Sequence, residues 1–213
     1  MATSTLRRLW KNEYFQTAVT IVLVIIVVLG FWFGLRYVLN TDYPMLAVAS
    51  GSMCLVQPNF CDGWSHPFAR TLHTGDLIII QGVNASDIHV GPNPIGDILV
   101  FYDGPGSDEL IVHRAISETT ENGQIVFITQ GDANSEPGPP ANGRVPANLV
   151  VGKVILRIPW IGHIALFMRD QSGVYLIVAL IILIIGVEVI ISIGESKETE
   201  TKKDETVERT PET

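Results

Sequence analysis

The sequence predicts a mainly β protein, a barrel-like extracytoplasmic β domain flanked by two transmembrane helices. Two apolar runs, residues 18–35 and 174–193, are each long enough to cross a bilayer. Between them lie short runs rich in β-branched residues, each bounded by Gly, Pro, Asp or Asn. No helical period of useful length appears over residues 75–157.

The first apolar run has Thr20 as its only polar side chain. As a helix it spans roughly 27 Å, enough for a bilayer core with slight tilt. Trp32 and Tyr37 stand where interfacial aromatics are expected. Arg7, Arg8 and Lys11 precede the run and only Arg36 follows it, which predicts a cytoplasmic N-terminus. A cleaved signal peptide is the competing reading, and Ala47-Val48-Ala49 has the small-x-small form of a cleavage site. The run is longer than a usual signal-peptide core and this site lies well beyond its end, so a retained anchor is favoured. The second run returns the chain to the cytoplasm, with Glu188 near its end, placed there by snorkelling rather than function. The expected organisation is a cytoplasmic segment 1–16, a transmembrane helix 17–39, an extracytoplasmic β domain 40–173, a transmembrane helix 174–193 and a disordered cytoplasmic tail 194–213.

Within the middle segment, Leu77-Ile78-Ile79-Ile80 follows Gly75-Asp76, and Ile98-Leu99-Val100-Phe101-Tyr102 follows Gly96-Asp97. Leu110-Ile111-Val112, residues 125–129 and residues 150–156 complete the set of strands, and such spacing suggests a barrel or sandwich. The Pro/Gly-rich stretch 136–146 reads as a loop, and Pro159-Trp160-Ile161-Gly162 marks the exit from the domain.

Residues 41–173 carry 6 Lys+Arg against 13 Asp+Glu, which argues against a nucleic-acid face. The two cysteines, Cys54 and Cys61, are seven positions apart and can either form a disulfide around a short loop or remain free thiols. With His66 and His73 nearby they still lack the spacing of a zinc site, so no metal is expected.

Chemistry is expected where a hydroxyl can meet a base. Ser50-Gly51-Ser52-Met53 lies just beyond the first apolar run; alone, such a tetrapeptide is most simply a turn. A serine is almost wholly un-ionised at neutral pH and needs a group to take its proton. His113, in Ile111-Val112-His113-Arg114, can accept and return a proton near neutrality, although a lone strand histidine is more often structural. Asp132, in Gly131-Asp132-Ala133-Asn134, can orient an imidazole or simply centre a turn. His66, His73, His89 and His163 have no assigned role. Lys153, the only lysine between the apolar runs, reads as a solvent-facing strand residue.

Taken in order, Ser-Gly-Ser-Met after an anchor, Gly-Asp plus a strand twice, Val-His-Arg and Gly-Asp-x-Asn, the chain resembles type I signal peptidases over about residues 20–162. The likeness is to the archaeal and endoplasmic-reticulum branch, in which histidine replaces the bacterial general-base lysine. It implies a serine endopeptidase that removes signal peptides from pre-proteins, with Ser52 as nucleophile, His113 as base, Asp132 as the acidic member and Ser50 assisting the oxyanion. It implies no cofactor. The expected partners are signal-peptide-bearing pre-proteins, the lipid bilayer of a multi-pass cell-membrane location, and accessory or secretion-machinery subunits. Members of this branch commonly carry another aspartate shortly after the Gly-Asp box, where this chain continues Ser135-Glu136-Pro137-Gly138; Glu136 substitutes for it or the role is absent. A Ser/Lys peptidase using Lys153 is disfavoured because Lys153 follows the Gly-Asp box, whereas bacterial-type enzymes place their lysine before it. The alternative outside catalysis is a membrane-anchored extracytoplasmic β domain that binds a partner.

Overall fold

The computed structural model describes residues 13–55, 71–138, 141–171, 173–183 and 186. Arg7, Arg8, Lys11, Cys61, His66, Glu188 and the charged tail lie outside the described residues. The chain divides into two units, Met1–His163 and Ile164–Thr213.

The first unit begins with helix α1, Glu13–Leu39. Its stretch Phe15–Leu39 is long and apolar enough to cross a bilayer. Its large apolar side chains, from Ile21 to Phe33, face outward rather than into a core. The C-terminal end of α1 is bonded directly into the sheet that follows. Gly82 donates its N–H to the Leu39 carbonyl at 2.8 Å, Ile80 donates to Pro44 at 3.0 Å, and the Leu39 side chain is buried.

Among the described residues, seven strands form one antiparallel sheet: β1 Met45–Ala47, β2 Leu77–Gln81, β3 Ile98–Tyr102, β4 Leu110–Glu121, β5 Gln124–Gln130, β6 Arg144–Pro146 and β7 Val150–Ile158. The order β1-β2-β7-β3-β4-β5-β6 leaves β1 and β6 as edges among the described residues, so the barrel-like sheet does not close. The expected mainly β class is borne out. β3 is central because its continuous apolar run is buried on both faces. Leu99 and Phe101 join one cluster with Ala115, Phe127 and Val145, while Val100 joins another with Val48, Met53, Leu72, Ile78 and Ile80.

The strand readings hold with three differences. β4 continues nine residues past Val112, first through buried His113, Arg114 and Ala115 and then through a polar, mostly exposed end, residues 117–121, and its pairing with β5 shifts register between Ala115 and Ser117. β1, only three residues long, is not among the strands read from the sequence. β6 lies inside the stretch read as a loop; Pro146 is tolerated there because β6 is an edge strand.

β7 leads through Pro159 to a short helix, α2, Gly162–Arg169. In the second unit, α3, Gly173–Leu183, covers the start of the second apolar run, and its large apolar side chains are exposed. The remainder of that run, apart from Gly186, lies outside the described residues.

Candidate active site

β1 delivers the chain to Ser50-Gly51-Ser52-Met53. Past its end the ladder continues for one step: Val48 donates to the Asp76 carbonyl at 2.9 Å and accepts from Gly75 at 2.8 Å. The chain then reverses in a turn closed by the Cys54 N–H on the Gly51 carbonyl at 3.0 Å, with Ser52 and Met53 at its centre. Met53 is 1% exposed and packed into the Val48–Leu72–Ile78 cluster. Burying such a side chain contributes about 1.5–3 kcal/mol. Met53 therefore pins the turn so that the neighbouring Ser52 stays half-exposed. Ser50 Oγ lies 3.4 Å from Ser52 Oγ. Cys54 is buried and disulfide-bonded.

The second component comes from the β4–β5 hairpin. Arg114 pairs with Gln130, the last residue of β5, so Gly131 and Asp132 emerge beside His113 and Arg114. The loop they begin is bonded to the serine turn, the Ala133 N–H donating to the Ser52 carbonyl at 2.9 Å. Gly131 lies close to both Ser52 and His113. A Cβ on it would lie 2.5 Å from the Ser52 carbonyl oxygen, 2.8 Å from Asn134 Nδ2 and 3.1 Å from His113 Nε2. The Ser52 backbone and the His113 ring thus meet on the Cβ side of one glycine, whose missing side chain makes room for both. If Ser52 and His113 react as proposed below, Gly131→Ala is expected to lower turnover roughly 100-fold, the order of effect for a displacement of about 1 Å at reacting groups. Steady-state kinetics on the folded variant check this; an unchanged kcat would show that the contact has no part in turnover.

His113 is 5% exposed and lies beside Phe101, with ring centroids 6.2 Å apart. Burial pushes its pKa below the usual 6.5, and the charge of Asp132 opposes that shift. Its Nδ1 is buried and has no hydrogen-bond partner among the described residues.

Asp132 is engaged elsewhere. Its Oδ1 accepts from Arg114 Nε at 2.8 Å and its Oδ2 from Arg114 Nη2 at 2.6 Å, a bidentate pair with side chains 7% and 3% exposed. Asn93 Nδ2 donates to Oδ2 at 2.6 Å, and Arg114 Nη1 reaches the Gly96 carbonyl at 2.6 Å. Asp132 therefore acts on His113 through charge, while its hydrogen bonds tie the Gly-Asp loop to β4. Glu136 is exposed. Lys153 bonds Asp97 at 3.0 Å and the Asp87 carbonyl at 3.3 Å. Sequence reading named the serine, histidine and aspartate but missed Arg114 and Gly131, although Arg114 adjoins His113 and Gly131 adjoins Asp132. Met53 was matched to the motif without a role, which its burial now supplies.

No family model matches the chain. Among curated proteins it is 27% identical to the signal peptidase complex catalytic subunit SEC11C of Mus musculus over 170 residues, 78% of each chain. The human SEC11C is 26% identical over the same extent. The catalytic subunit SEC11 of Lachancea thermotolerans is 28% identical over 149 residues, 67% of this chain and 76% of the relative. The resemblance drawn from the motifs is borne out: the chain's homologues are catalytic subunits of the signal peptidase complex, of the endoplasmic-reticulum and archaeal branch of type I signal peptidases.

Proposed function

We propose that the chain is a membrane-bound serine endopeptidase that removes N-terminal signal peptides from pre-proteins; its homologues are named as catalytic subunits of the signal peptidase complex. The observation that carries this reading is that the Ser52 carbonyl oxygen and His113 Nε2 converge on one point, 2.5 and 3.1 Å from where a Cβ on Gly131 would lie. In the proposed reaction, Ser52 Oγ attacks the carbonyl preceding the cut and His113 accepts its proton. The developing oxyanion takes hydrogen bonds from the Ser52 N–H and the Ser50 hydroxyl; such donors are commonly worth about 3–4 kcal/mol. His113 returns the proton to the leaving amine, the mature protein departs, and water releases the acyl group from Ser52. Asp132 supports this indirectly, by anchoring the Gly-Asp loop to Arg114 and by its charge near His113.

α1 and the second apolar run hold this domain at the extracytoplasmic face, with both termini cytoplasmic. A membrane-embedded signal peptide then presents its cleavage site at raised effective concentration. Accessory subunits are expected, because the homologues are named as subunits of a complex.

The test is cleavage of a secretory precursor by membranes containing the chain, alone and with co-purifying subunits, with the product's N-terminus sequenced across a pH series. The base must be neutral to act, and burial holds its pKa below 6.5. Activity is therefore full above that value and is lost as pH falls through the folded pKa, so the acid limb of kcat/KM has its midpoint below 6.5. A midpoint above 6.5 would contradict His113 as the base. Absence of any cut at the expected junction, with the protein folded and its subunits present, would favour the partner-binding β domain instead.

A further inference from the structure

The exit from the serine turn is held by a side chain that no part of the mechanism uses. Thr71 is 6% exposed and precedes β2. Its hydroxyl donates to the Met53 carbonyl and accepts from the Leu55 N–H at 3.2 Å. One hydroxyl thereby satisfies two backbone groups at a place where no strand of the sheet pairs with the chain.

Thr71 is itself fixed from behind. Arg157, on β7 opposite Ile78, donates Nη1 to the Thr71 carbonyl. The same nitrogen lies 3.2 Å from Asp76 Oδ2 and 3.1 Å from His73 Nδ1. Asp76 is fully buried, and its Oδ2 also accepts the His73 N–H at 2.7 Å. The Asp76 carbonyl is the acceptor that holds Val48 ahead of the turn. A single buried cluster thus reaches the chain on both sides of Ser52: through Asp76 on the side of β1, and through Arg157 and Thr71 on the side of Leu55.

We infer that Thr71 is a positioning residue for Ser52, its hydroxyl fixing the Met53–Leu55 exit of the turn and so the direction of Ser52 Oγ. This rests on the proposed role of Ser52 as nucleophile. Thr71→Val keeps the β-branched shape and removes both hydrogen bonds, whereas Thr71→Ser keeps the hydroxyl. The experiment compares wild type, Ser52→Ala, Thr71→Val and Thr71→Ser in precursor cleavage. Separate kcat and KM values are measured, and rates are corrected for the folded fraction by circular dichroism at the assay temperature.

The expected result is a kcat lowered roughly 10- to 100-fold in Thr71→Val with KM within about twofold of wild type, and recovery in Thr71→Ser to within about threefold of wild type. Three results would overturn the inference: a wild-type kcat in Thr71→Val, a deficit that disappears after correction for folded protein, or no recovery in Thr71→Ser. The Ser52→Ala arm separates this from the underlying reading. Loss of cleavage there with a wild-type kcat in Thr71→Val defeats only the positioning role, whereas cleavage retained in Ser52→Ala defeats the nucleophile assignment and the inference with it.

Discussion

Ser52→Ala is expected to lower kcat for precursor cleavage by roughly 10⁴- to 10⁶-fold, the range seen when a serine hydrolase loses its nucleophile. The size of the loss follows from the role. Ser52 has the only hydroxyl within the turn; Ser50 Oγ, just ahead of it, lies 3.4 Å away and has the proposed part of binding the oxyanion. The substitution removes one hydroxyl from a half-exposed position, so the fold should be little affected. Precursor binding without turnover is the expected phenotype, measured as normal association with loss of product. Residual cleavage within tenfold of wild type, with host peptidase excluded, would remove the serine mechanism.

Asp132→Ala is expected to destabilise the domain by about 3–5 kcal/mol, because it leaves the buried Arg114 guanidinium without its bidentate partner. Asn93 Nδ2 loses an acceptor at the same time. The damage should spread along the Gly131–Asn134 loop, whose Ala133 N–H holds the Ser52 carbonyl, so activity falls together with stability. Denaturant unfolding of the detergent-solubilised chain measures the first effect. A double variant, Arg114→Met with Asp132→Leu, should recover part of it, since replacing both members of a buried pair costs less than stranding one. A single-variant shift below about 1 kcal/mol would place the pair with weak surface ion pairs.

These two predictions differ in how visible their residues were in the sequence. Ser52 and His113 stand out in the sequence because the proposed chemistry demands particular residue types in a particular order. Asp132 was legible as an acidic residue near the site, but its partner was not. The β4–β5 register decides that it faces Arg114, and register is a property of pairing between strands. Gly131 was visible only as the glycine of a turn, because its close approach to Ser52 depends on a segment about 80 residues earlier. Thr71 carried no signal at all: its partners, Met53 and Arg157, come from distant segments at no recognisable spacing.

The fold divides along the same physical line. Apolar runs such as 77–80 and 98–102 announce themselves because burial selects their composition. The outer half of β4 is polar and mostly exposed, and only its partner β5 makes it a strand. β1 and β6, at three residues each, are too short to show an alternation.

The bonded junction between α1 and the sheet has a mechanical consequence. Leu39 and Pro44 are tied to Gly82 and Ile80 in and just beyond β2, and the other end of β2 emerges from the Gly75–Asp76 turn that grips Val48. Helix end and serine turn are therefore opposite ends of one stiff beam. If α1 spans the membrane and Ser52 is the nucleophile, as proposed, the length of β2 sets how far the serine stands from the end of that helix, and a precursor would have to supply extended chain of matching reach beyond its own membrane segment.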